Sequence, residues 1–192
     1  DSNASNAVTG EPSHMDRLAD ATLARIGRDV RAAAPPGGTI RLDFSEDLGP
    51  LRVDARELRN ALHRVAHNAI LAMPNGGRLR LRAAVNKIGE RNLLNLRAGH
   101  WMRVEMTDSG YGMSPEALER CQDPFFSRRD EAVGLGLTAV GAFTRRYGGA
   151  IEVQSIHGNG TSVTLWLPAC LPSERRSAAR DLLSVLTTRS PE

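Results

Sequence analysis

DSGYGMSPEALERCQDPFFSRRDEAVGLGL, the stretch from Asp108 to Leu137, decides how this chain is read. It holds two glycine pairs of the form G-x-G, Gly110 with Gly112 and Gly134 with Gly136. The first pair follows an acidic residue at the end of an alternating, strand-like run, and the second opens a helical pattern. Each pair has a plain explanation: glycine supplies positive φ after a strand, and small residues make a tight, well-packed helix start. Each also has a functional one. Asp108 accepts a hydrogen bond from an exocyclic amine, Gly110 and Gly112 let a flat ring approach the backbone, and free N–H groups at the helix start receive phosphate oxygens. Two such turns and one carboxylate suggest a nucleotide pocket. GLGL is no Walker loop, because no Lys-Ser or Lys-Thr follows, and the dinucleotide-binding fingerprint lacks its preceding strand.

Working outward, the 192 residues are 41% apolar and 24% charged, which fits one domain with a continuous core. Lys plus Arg exceeds Asp plus Glu by 25 to 22, an excess spread along the chain, so nucleic acid is not an expected partner. Cys121 and Cys170 stand far apart and outside metal-ligand spacing, which points away from a disulfide framework and a zinc site and toward a reducing compartment. No apolar run approaches bilayer length and no signal peptide is seen, so a cytoplasmic location is expected, within a parent protein that is free to be membrane-anchored. The polar lead at 1–15 is set aside as tag-like, the domain is placed at 16–168, and 169–192 is a tail with a helical pattern in Leu182, Leu183 and Leu186.

From Asp16 to Ala34, Leu18, Leu23, Ile26 and Val30 recur at helical spacing before PPGG. Ile40, Leu42 and Phe44 alternate as in a strand. Asp54 and Glu57 have the spacing of a capping box, starting a helix with Leu58, Leu62, Val65 and Ala69 on one face. Glu57, Ala61, Arg64 and Asn68 form a stripe at the edge of that face, so Asn68 is expected to border a cavity. Residues 78–85 and 101–108 read as strands, joined by a loop without a chemical signature. Ser114 before Pro115 starts a short helix over 115–121, Gly134 to Tyr147 is a second long helix, and a hairpin around HGNG ends the domain. This order predicts an α+β two-layer sandwich: a mixed, mostly antiparallel five-stranded sheet with helices packed on one face.

The motifs NAILAMPNGGRLRL (68–81), DSGYGM (108–113), DPFF (123–126), GLGL (134–137) and GNGT (158–161) together resemble, in order and spacing, the catalytic ATP-binding domain of bacterial two-component sensor histidine kinases. That domain shares a superfamily, and its Bergerat-type ATP-binding fold, with gyrase, heat-shock chaperone and mismatch-repair ATPases. The likeness covers roughly residues 20 to 168. It implies ATP and Mg²⁺ as cofactors, with Asn68 as the metal residue through its side-chain oxygen. It further implies that Asp108 reads the adenine amine with support from Thr161 through water, and that Gly110, Gly112 and Met113 line base and sugar. Gly134, Leu135, Gly136 and Leu137 would hold phosphates, and residues 123–133 would form a lid anchored by Phe125 and Phe126. Arg128 or Arg129 would reach the γ-phosphate, where relatives often have Lys. No catalytic residue is assigned to the chain itself. The implied partners are a histidine-bearing dimerisation domain and a response-regulator receiver domain, in a homodimeric parent.

Three departures stand out. Arg64 occupies the place where these kinases usually have a second Asn and hydrolytic superfamily members a general-base Glu, which argues against gyrase-like hydrolysis; Arg64 is left as either a phosphate contact or a solvated charge. Ala132 replaces the first glycine of the lid pattern. No motif for the phosphorylated His is found: His63 and His67 are placed on an exposed helix side without a carboxylate neighbour, and His14, His100 and His157 fit no pattern. The expected function is therefore a protein-histidine kinase catalytic domain that does not autophosphorylate alone. The alternatives are a degenerate nucleotide-binding module that docks a response regulator, and an anti-sigma-type serine kinase.

Overall fold

The computed structural model describes residues 18–33, 37–45, 48, 52–123 and 136–169. Helix α1 (Leu18–Ala32) leads into strand β1 (Thr39–Phe44), and α2 (Ala55–Leu71) crosses to β2 (Arg78–Ile88). After β3 (Gly99–Asp108) come the short α3 (Pro115–Arg120), α4 (Gly136–Arg146), and the hairpin β4 (Ala150–Ile156) with β5 (Gly160–Pro168). The sheet runs β1-β2-β3-β5-β4. β1 lies parallel to β2 because α2 carries the chain over between them, and the other pairs are antiparallel. This is the expected mixed five-stranded sheet.

Alternation decides which face is covered. Leu79, Leu81 and Ala83 of β2, Met102, Val104 and Met106 of β3, and Val163, Leu165 and Leu167 of β5 all point to the helix layer. There they meet Leu23, Ile26 and Val30 of α1, Leu58, Leu62, Val65 and Ala69 of α2, and Val140 of α4 in one core. Removing one such side chain, as in Leu62→Ala, would cost about 2–5 kcal/mol by the usual scale for core truncation.

The opposite face differs from expectation. β2 and β3 run longer than 78–85 and 101–108, and the loop between them folds back over the sheet. Leu96, Trp101 and Trp166 make a second small cluster there, with Ile88, Leu94 and Ala150 against it. Asn92 shapes the loop: its amide donates to the Gly89 and Leu96 carbonyls, and its oxygen accepts from the Leu96 N–H. Trp101 Nε1 donates to the Arg97 carbonyl at 2.8 Å. Beside the cluster Arg103 grips Glu105 with both guanidinium arms at 2.9 Å.

The helix starts show one expected cap and one rearranged. Ser114 accepts from the Ala117 N–H, as Ser before Pro predicts. Asp54 accepts from the Arg56 and Glu57 N–H groups, but Glu57 does not complete a capping box. The Asp54 N–H donates instead to the Tyr147 hydroxyl, and the Glu57 carboxylate turns to Arg146 and Tyr147 at the far end of α4.

Candidate nucleotide site

At the end of β3, Asp108 is 7% exposed. Its Oδ1 accepts the Gly110 N–H at 2.8 Å and the Thr161 N–H at 3.2 Å, so one oxygen is fixed by main chain from two directions. Among the described residues Oδ2 has no hydrogen-bond partner. A buried carboxylate oxygen without a donor costs free energy, so its persistence points to a donor supplied from outside the chain. Burial pushes the Asp108 carboxyl above its usual value, against the two main-chain hydrogen bonds that lower it.

Thr161 reaches Asp108 directly through its main-chain N–H. Its hydroxyl lies 2.8 Å from the Ser155 hydroxyl, which donates to the Gly160 carbonyl and accepts from the Met113 N–H. Ser155 thus ties the Met113 segment to the β4–β5 hairpin, a role the sequence pattern did not single out. Ser109 is locked in turn, accepting the Arg78 N–H at 2.9 Å.

The glycines here answer to packing first. A Cβ on Gly110 would lie 2.6 Å from both the Cβ and the carbonyl oxygen of Ala72, at the end of α2. Gly112 has φ 64° and Gly160 φ 89°, and a Cβ on either would fall about 2 Å from a carbonyl oxygen, of Ile156 and of Asp108 respectively. The loop after β3 is therefore wedged between the end of α2 and the hairpin turn.

The second region lies where α2 meets α4. Gly136, the first residue of α4, sits against Asn68: a Cβ there would be 3.1 Å from the Asn68 amide nitrogen. Asn68 is exposed, and its side chain has no partner among the described residues. The cavity expected beside it lies farther back, a groove of about 290 Å³ lined by Glu57, Asn60, Ala61, Arg64, Ala139, Ala142, Phe143 and Arg146. Glu57 Oε1 meets Arg146 Nη1 at 2.7 Å and Oε2 accepts the Tyr147 hydroxyl at 3.0 Å. His63, placed by the sequence on an exposed side without a carboxylate, instead faces α1, with Nε2 3.2 Å from Asp29. Among the described residues no three His, Cys, Asp or Glu side chains cluster as metal ligands.

The structure thus brings Asp108, Gly110, Gly112, Met113 and Thr161 into one region and Asn68, Gly136 and Leu137 into another, the two joined by α2. Leu137 contributes a buried side chain to the core. Arg128, Arg129, Gly134 and Leu135, the lid at 123–133 beyond Asp123, and Ala132 lie outside the described residues. Among those described, no helix is long and apolar enough to cross a membrane.

Comparison with known proteins bears on the family and the fold. Residues 53–170 match the family described as histidine kinase-, DNA gyrase B-, and HSP90-like ATPase. The sensor kinase CckA of Brucella abortus is 30% identical over 172 residues, 85% of this chain and 17% of its own. The sensor protein DivL of Caulobacter vibrioides is 30% identical over 79% of this chain and 18% of its own. The sensor histidine kinase ZraS of Escherichia coli O157:H7 is 36% identical over 44% of this chain and 19% of its own, so the chain spans under a fifth of these relatives. Among solved structures, the mycobacterial sensor histidine kinase MprB superposes with a TM-score of 0.59 at 24% identity, over 78% of this chain and 93% of that one, a likeness of fold. The chain belongs to the histidine kinase-, DNA gyrase B-, and HSP90-like ATPase family, and is a domain of the type found in sensor histidine kinases.

Proposed function

We propose that this domain binds Mg-ATP and presents its γ-phosphate to a histidine on a dimerisation domain, from which a response-regulator aspartate takes it. The observation that carries the reading is the Oδ2 of buried Asp108, an acceptor without a hydrogen-bond partner among the described residues, while its Oδ1 is held by two main-chain N–H groups. An adenine amine is a donor that fits it, with Gly110, Gly112 and Met113 beside the base and Thr161 holding the carboxylate in aim.

Mg²⁺ fits the donor set as well. This ion is usually held by one or two protein oxygens together with substrate phosphates and water, and Asn68 offers one exposed oxygen, unpartnered among the described residues, beside the start of α4. When bound, the ion would neutralise phosphate charge. Gly134, Leu135, Gly136 and Leu137 would hold phosphates, and Arg128 or Arg129 would add charge at the outer one. Transfer of this kind rests on positioning and charge stabilisation, which suits a site without a general base.

The test mixes this chain with a separate histidine-bearing dimerisation domain and ATP labelled at the γ position. Label is expected on the acceptor histidine and none on the chain alone. Label on a protein serine would move the reading to an anti-sigma-type kinase. Nucleotide binding without any transfer would move it to a docking module.

A further inference from the structure

α2 carries its site residues at intervals of one helical turn. Ala72 touches the Asp108–Gly112 loop through Gly110, Asn68 touches Gly136, and Arg64 follows four residues farther back. At 1.5 Å per residue the span from Ala72 to Arg64 is about 12 Å, with the positions spaced so that their side chains share one side of the helix. α4 runs antiparallel along this seam: Glu57 pairs with Arg146 at one end and Asn68 meets Gly136 at the other. The groove lined by Arg64 and Ala139 lies along the same seam, one helical turn from Asn68 on α2 and one from Gly136 on α4.

Arg64 is exposed and has no hydrogen-bond or ion-pair partner among the described residues. The other groove arginine, Arg146, is neutralised by Glu57, and the remaining neighbours are Asn60, short alanines and Phe143. Among the described residues Arg64 is therefore an uncompensated guanidinium, exposed one turn before Asn68, the residue proposed to hold the metal. We infer that Arg64 binds the outermost phosphate of the nucleotide and makes the site select a triphosphate over a diphosphate. This rests on the nucleotide reading above. The base lies at Asp108, the inner phosphates at Asn68 and Gly136, and the γ-phosphate falls next along α2. The planar guanidinium suits the terminal phosphate, which exposes more oxygens than the bridging ones.

Calorimetric titration with ATP and with ADP, each with Mg²⁺, tests this on the whole chain and on Arg64→Gln, with melting curves confirming that the exposed substitution leaves the fold intact. Arg64→Gln is expected to weaken ATP binding about tenfold, the usual worth of one charge-assisted hydrogen bond, and to change ADP binding less than twofold. Equal loss for both nucleotides, or no loss for either, overturns the inference. If the folded unsubstituted chain binds neither nucleotide, the nucleotide reading itself falls, and this inference with it.

Discussion

The two ends of the site are built by opposite means. Around Asp108 the geometry is fixed by main chain: two N–H groups aim one carboxylate oxygen, and Gly110, Gly112 and Gly160 sit where no Cβ fits. Along the α2–α4 seam it is set by exposed side chains, with Asn68 and Arg64 unpartnered among the described residues and Glu57, Arg146 and Tyr147 acting as a tie. In the proposed reading a rigid end would select by shape and one buried acceptor, and a solvated, charged end would adapt to phosphates and metal, at the cost of screening by salt.

The contrast can be broken most sharply at Gly160. Gly160→Ala combines a φ of 89° with a Cβ 2.0 Å from the Asp108 carbonyl, so the change should destabilise the domain by more than about 3 kcal/mol in urea unfolding. If Gly160→Ala folds with normal stability, the main-chain end is not as rigid as described.

Asp108→Asn separates stability from binding. The amide oxygen can still accept from Gly110 and Thr161, but a donor now stands where Oδ2 stood. ATP affinity should fall about 100-fold, since two donors are then opposed. The fold should be as stable as before, or more so. Because burial raises the Asp108 pKa, the folded state binds the proton more tightly than the unfolded one, whose value is near 3.8. Its contribution to stability is present at low pH and lost as pH rises through the folded value. The advantage of Asp108→Asn over the unsubstituted chain in denaturant should therefore shrink as pH drops from 7 toward 3.8. A gap independent of pH would contradict a buried, unpaired oxygen.

The seam offers the smallest effect. Glu57→Ala removes one partly exposed ion pair and one hydrogen bond to Tyr147, which should cost about 1 kcal/mol in thermal unfolding. A loss as large as that of Gly160→Ala would mean that the seam, rather than the loop, holds the site together.

Much of this was legible in sequence where the signal is local. The alternation of Leu79 and Leu81, and of Met102, Val104 and Met106, placed two strands and their buried face, and DSGYG marked Asp108. What escaped depends on contacts far along the chain. Glu57 looked like the second half of a capping box, but its partner Arg146 lies 89 residues later. His63 looked solvated because Asp29 is on another helix. The loop over Trp101 and Trp166 showed no pattern because its order comes from Asn92 bonding to its neighbours' backbone. The glycines carried two readings, positive φ after a strand and an opening for a ligand; Gly112 has the positive φ, and the close packing of Gly110 on Ala72 and of Gly112 on Ile156 adds a requirement that no local pattern shows.

The most direct measurement is calorimetric titration of the folded chain with ATP and Mg²⁺, run alongside Asp108→Asn. The predicted result is saturable binding of one nucleotide per chain, weakened about 100-fold by the substitution while the melting curve is unchanged or shifted upward. Absence of heat from a well-folded chain, or equal binding by Asp108→Asn, would contradict a nucleotide site centred on Asp108.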